Sequence, residues 1–82
     1  MKKGNYYVYI TTNPRKTVLY TGVTNDLKVR IRQHFGHKLI YYEYYFDINQ
    51  AIAREKNIND MSKKKKEGLV ASKNPYWNFL VI

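Results

Sequence analysis

The chain has 82 residues, enough for one small domain over 1–82, and its 44% apolar share excludes global disorder. It has no cysteine, which excludes disulfide staples and thiolate metal sites. Fifteen Lys and Arg against six Asp and Glu leave a net charge of +9, which favours polyanionic partners, nucleic acid first, with an affinity that should fall steeply with salt.

In chain order, residues 6–11 are rich in Tyr, Val and Ile and predict a strand. Thr12-Asn13-Pro14-Arg15-Lys16 predicts a turn, since Asn-Pro starts turns and proline cannot sit in a central ladder. A second strand is expected over 17–23, making an antiparallel hairpin in which Gly22 permits a close approach. Thr24 or Asn25 should cap a helix to about Phe35, ended by Gly36. Leu27 and Ile31 form its apolar stripe, while Arg30 and His34, also four apart, share a neighbouring face.

Residues 39–46 predict a long aromatic strand. Leu39, Tyr41, Glu43 and Tyr45 should point one way and Ile40, Tyr42, Tyr44 and Phe46 the other, as in a central strand covered by helix on one face and partly on the other. Asp47 followed by Gln50 resembles a capping box for a helix to about Met61, with Ile48, Ala51, Ile52 and Ile58 inward. Ser62 should cap a last helix that begins in Lys63-Lys64-Lys65-Lys66 and stops at Asn74-Pro75. Tyr76, Trp77, Phe79 and Leu80 can then dock the tail on the core. The predicted fold is α+β: a three-stranded antiparallel sheet flanked by helices, in the order β-β-α-β-α-α.

Glu55 lies four after Ala51 and three before Ile58, on or beside the inward face of its helix. An inward carboxylate needs a hydrogen bond, a counter-charge or a metal; the other reading is a Glu between Arg54 and Lys56 that swings to the surface. The tyrosines number nine, and most can simply fill a half-buried sheet with their hydroxyls at the rim. The lysine run from Lys63 reads as a solvated face able to touch phosphates. Met1-Lys2-Lys3-Gly4 leads into a tyrosine-rich strand, not a signal-peptide core, and no apolar run reaches membrane-spanning length. A cytoplasmic location is the expectation.

Several of these residues carry a family resemblance. Val8-Tyr9 fits the second and third letters of one motif, and Tyr20-Thr21-Gly22 fits a second. Together they resemble the GIY-YIG nuclease superfamily. Leu19-Tyr20-Thr21-Gly22-Val23-Thr24-Asn25-Asp26-Leu27 is similar to the core of its small stand-alone bacterial members of the UvrC N-terminal type, the UPF0213 proteins. Two departures stand out. Tyr7 replaces the usual Gly of the first motif, and only Phe35-Gly36-His37-Lys38 remains where relatives carry a longer segment.

The resemblance implies a DNA endonuclease that uses one divalent cation, Mg²⁺ or Mn²⁺, and no small-molecule cofactor. It implies Tyr9 and Tyr20 at the cleft, with a hydroxyl that activates or orients water. A free phenol ionises at about pH 10, so nearby cations or the metal must assist that role. Arg30 matches the family's helix arginine, whose guanidinium can hold two phosphate oxygens. His34 stands where relatives have His or Tyr, and could relay a proton or bond the phosphate. Ala53-Arg54-Glu55-Lys56 matches the stretch whose Glu binds the metal, and Glu55 is expected to bring its carboxylate into one cleft with Tyr9, Tyr20 and Arg30. Lys28, Arg32, Lys38, Lys63 and Lys64 are the expected DNA contacts. Asn74 joins them through its likeness to the Asn-Pro-x-Trp ending, where a purely structural helix stop is the other reading. The implied substrate is DNA, branched or damaged forms included. The alternative is a non-catalytic nucleic-acid-binding module that keeps the fold.

Overall fold

The computed structural model describes residues 3–34 and 36–82. The elements are β1 (Lys3–Thr12), β2 (Leu19–Thr24), α1 (Leu27–Gln33), β3 (Lys38–Asp47), α2 (Ile48–Asn59) and α3 (Lys63–Lys73). The expected order and the antiparallel sheet are both present. The expected end of α1 at Phe35 lies outside the described residues.

The sheet order is β2-β1-β3, so β1 is the central strand and β3 an edge. This corrects the expectation that β3 is central. The reason lies in β1: Val8 and Ile10 are fully buried on one face and Tyr9 on the other, so β1 is covered on both sides. Along β3, Tyr42, Tyr44 and Phe46 stay largely exposed.

Strict alternation along β3 also fails at one place. The register slips between Ile10 and Thr11, pairing Thr11 with Leu39 but Ile10 with Tyr41. Ile40 is the extra residue of a bulge. Leu39 therefore joins Tyr9 and Leu27 on one face, while Ile40 and Tyr41 join Val8 and Ile10 on the other. On this second face lie α2 and α3, through Ala51, Ile58 and Val70. The first is covered by Leu27 and Ile31 of α1 and by Leu80 of the tail.

Local chemistry sets the ends. Asn13 Oδ1 accepts from Thr17 N and Val18 N at 2.8 and 3.2 Å and so builds the hairpin loop. The cap of α1 is Asp26, one residue later than expected: its Oδ1 takes Val29 N at 3.1 Å, while Thr24 Oγ1 accepts from Asp26 N. Asp47 caps α2 through Asn49 N, and Ser62 caps α3 through Lys65 N. Ile52, expected inward, is exposed; the inward stripe of α2 runs Ala51, Glu55, Ile58, with Glu55 half-buried between two buried neighbours.

Candidate active site

Cross-strand pairing places the two tyrosines. Tyr9 lies opposite Gly22 and Thr11 opposite Tyr20, so Tyr9, Thr11, Tyr20 and Gly22 share the face that α1 covers. The ring of Tyr9 runs over Gly22: a Cβ there would sit 2.4 Å from its hydroxyl oxygen and 2.5 Å from Cζ. Gly22 is required by that crossing and not by its backbone angles. Once across, the Tyr9 hydroxyl accepts a hydrogen bond from Arg30 Nε at 3.1 Å.

The end of α1 supplies the rest. His34 closes the helix through its N–H to Arg30 O, and a tight turn returns His37 N to His34 O at 2.9 Å. Gly36 makes that turn at φ +86°, in the left-handed region that glycine adopts freely. The turn slides the His37 ring between two others. It stacks on Tyr20 with centroids 4.4 Å apart and planes at 10°, and on His34 at 5.3 Å and 15°.

The result is a cleft of about 230 Å³ lined by Tyr9, Thr11, Tyr20, Gly22, Arg30, His34 and His37, with the Thr21 backbone strand at its edge. All four residues expected to do chemistry on the sheet and first helix, Tyr9, Tyr20, Arg30 and His34, meet there. Thr11 Oγ1 and His34 Nε2 are buried without a hydrogen-bond partner. Two orphaned polar atoms in one cleft leave room for a polar guest. Tyr9 is 5% exposed and Tyr20 42%, so the first is a fixed part of the wall and the second is open to a substrate.

Glu55 corrects the expectation that it joins Tyr9, Tyr20 and Arg30: it does not line this cleft, and among the described residues no carboxylate does. It belongs to α2, on the opposite face of the sheet, and its Oε2 accepts from Asn59 Nδ2 on the same helix. Thr21, opposite Ile10, directs its side chain to that same face, where its Oγ1 is buried and unpartnered. Among the described residues no group of three acidic, His or Cys side chains could hold a metal. The donor present on the α2 side is a single carboxylate, which suits only a hard cation that keeps most of its water.

The expected DNA contacts divide. Lys28 and Arg32 are exposed on α1, and Lys38 and Lys64 are exposed as well. Lys63 is tied to the hairpin loop through Nζ to Thr17 O at 3.0 Å. Asn74 corrects its expectation. It is buried, its Nδ2 donates to Ile40 O and Asn78 O, and its Oδ1 accepts from Asn78 N at 3.0 Å. With its amide spent in this way, Asn74 fastens the tail to β3.

The second face holds a polar cluster that periodicity did not reveal. Arg54 Nε and a second guanidinium nitrogen grip both oxygens of Glu43 at 2.9 and 3.0 Å, and the hydroxyls of Tyr41 and Tyr45 donate to the same carboxylate. Burial pushes the Glu43 carboxyl up, but the bonds from Arg54, Tyr41 and Tyr45 outweigh it and hold it at about 2. Burial, then Glu43, push the Tyr41 phenol up to about 12. The stretch that the resemblance assigned to the metal thus divides: Arg54 is structural, and Glu55 is bonded to Asn59 on its own helix.

Comparison with known proteins matches this architecture. The sequence profile described as the GIY-YIG catalytic domain matches residues 5–68. The chain belongs to the GIY-YIG family. The GIY-YIG domain is a nuclease domain, and its matched span contains the whole cleft and Glu55. Among GIY-YIG relatives, UPF0213 protein CPE1444 of Clostridium perfringens (strain 13 / Type A) is 32% identical over 80 residues, covering 83% of this chain and 85% of the relative. The solution NMR structure of UPF0213 protein BH0048 from Bacillus halodurans superposes with a TM-score of 0.67 at 27% identity, over 89% of both chains.

Proposed function

We propose that the chain is a metal-assisted endonuclease that hydrolyses DNA phosphodiester bonds in the Tyr9–Tyr20–Arg30–His34 cleft. The observation that carries this is the gathering of two phenols, a guanidinium and an imidazole from β1, β2 and α1 into one 230 Å³ cleft. Packing alone has no need of that set.

The tyrosines divide the work. Tyr9, buried and bonded to Arg30 Nε, holds the guanidinium in place; its two terminal nitrogens remain for the phosphate oxygens. Tyr20, open and braced by the His37 ring, orients the attacking water. The unpartnered His34 Nε2 and Thr11 Oγ1 take the remaining polar atoms of the phosphate or its water. Arg30 offsets the charge that develops on the non-bridging oxygens. Glu55 would hold a divalent cation, Mg²⁺ or Mn²⁺, on the α2 side of the sheet, and the substrate strand would have to pass the β2 edge for that cation to supply electrostatic stabilisation of the leaving oxygen. Lys28, Arg32, Lys38 and Lys64 attract the DNA without reading bases.

The absence of a carboxylate from the cleft favours a second reading, a module that binds nucleic acid and does not cut it. One experiment separates the two: cleavage of plasmid and branched DNA with Mg²⁺ or Mn²⁺, run beside Glu55→Ala. The nuclease reading expects cleavage by the wild type and at least a 100-fold loss in the variant, on the order of one electrostatic catalytic contact. DNA binding should persist, since a negative charge has been removed. A variant that cuts at the wild-type rate removes Glu55 from the mechanism; a wild type that binds and never cuts leaves the binding module.

A further inference from the structure

Beside the cleft runs a larger groove of about 680 Å³ between α1, the hairpin loop, β3 and the C-terminal tail. It shares His34 and His37 with the cleft, so the two are continuous. Lys28, Arg32 and Lys38 line it, and among the described residues no aspartate or glutamate does. Its floor carries Phe79.

Phe79 is held from both sides. Asn78 before it is gripped by the Asn74 amide, and Leu80 after it donates its N–H to Leu39 O at 2.8 Å, lying against the edge of β3. On this fixed ring rest two ammonium groups from separate elements. Lys16 Nζ, from the hairpin loop, is 5.2 Å from the ring centroid; Lys38 Nζ, from the start of β3, is 5.8 Å away. Lys16 also donates to Tyr76 O at 3.3 Å. Its backbone is held at φ +58°, a region lysine seldom enters, by a loop that Asn13 ties down.

Two like charges that share one ring repel each other, and each is attracted to the ring face. A polyanion that contacts both ammonium groups offsets that repulsion. The geometry points to a second phosphate site, Lys16 and Lys38 mounted on Phe79, that takes the sugar–phosphate backbone of a nucleic acid as it leaves the cleft. This rests on the DNA reading of the cleft and adds Lys16 and Phe79 to the surface. Phe79 acts here as a positioning residue: it holds the ammonium groups and touches no phosphate itself.

The test is DNA binding, by fluorescence anisotropy of a labelled duplex, across a salt series. Lys16→Gln with Lys38→Gln is expected to flatten the slope of log affinity against log salt by about 2, one phosphate contact for each lysine. Phe79→Leu changes no charge and keeps an apolar side chain, yet is expected to weaken binding about 5- to 30-fold at low salt. Phe79→Tyr keeps the ring and should bind as the wild type does. Added to the double Gln variant, Phe79→Leu should cost nothing further, because the groups it positions are gone. Should Leu disturb the tail, the double Gln variant and Phe79→Tyr still decide the matter. Wild-type affinity in the double Gln variant or in Phe79→Leu overturns the site, as does loss of binding in Phe79→Tyr. A wild type that binds no DNA at low salt overturns the underlying reading of the cleft instead.

Discussion

Gly22 shows how one missing side chain organises a site. The Tyr9 ring occupies the volume of a Cβ at position 22, with its hydroxyl oxygen 2.4 Å from where that carbon would be. Gly22→Ala must therefore push the ring out from among Leu27 and Leu39 and break its bond to Arg30. Overpacking of this kind costs roughly 1–3 kcal/mol, and for a domain this small each kcal/mol lowers Tm by about 4–8 °C. Cleavage should fall far more than binding, since no cation is lost. Wild-type cleavage together with an unshifted melting curve would refute this account of Tyr9. The sequence pointed to a close approach at Gly22, and it paired Arg30 with His34 by their spacing. It could not reveal His37, because the stack on Tyr20 depends on a turn whose path follows from the Gly36 backbone.

Between elements, β3 and α2 are joined by a half-buried ion pair as well as by hydrophobic side chains. Glu43 is fixed by Arg54 and two tyrosine hydroxyls, and its carboxyl is held at about 2 against an ordinary value of 4.5. A carboxyl depressed in the folded state stabilises the fold above its unfolded pKa, and that stability drains away as pH falls through the folded value. Thermal stability should therefore decline between about pH 4.5 and about pH 2. Glu43→Gln, read by Tm against pH, should be less stable at neutral pH, because Arg54 loses its counter-charge, and should decline less steeply over that window. Parallel profiles for the two proteins would remove Glu43 from the acid response. The caps Asp47 and Ser62 and the stop at Asn74 could be read from local sequence, because caps are local chemistry. The Glu43 cluster could not, because it joins residues 11 apart across two elements that only packing brings together.

At the scale of the whole molecule, the element order and the antiparallel sheet were legible, and the central strand was not. Two apolar faces on β3 suggested burial, yet its tyrosines are amphipathic and tolerate an edge, and β1 took the centre with Val8, Tyr9 and Ile10 covered on both sides. Because the first strand is the middle one, the cleft is written in one continuous stretch, from Tyr9 to His37, while β3 must return across the whole of α1 to reach its partner. Local contacts form cheaply and distant ones carry the entropy of loop closure. The hairpin and α1 are therefore expected to organise first during folding, with β3, α2 and α3 condensing onto them. Substitutions such as Thr12→Ala in the hairpin should slow folding, and Val70→Ala in α3 should mainly speed unfolding, both read from chevron plots. The reverse pattern would refute that order. On the proposed reading, the chain would then assemble the Tyr9–Tyr20–Arg30 cleft before the helix that carries Glu55 arrives, so a partly folded molecule would hold nucleic acid before it is able to cut.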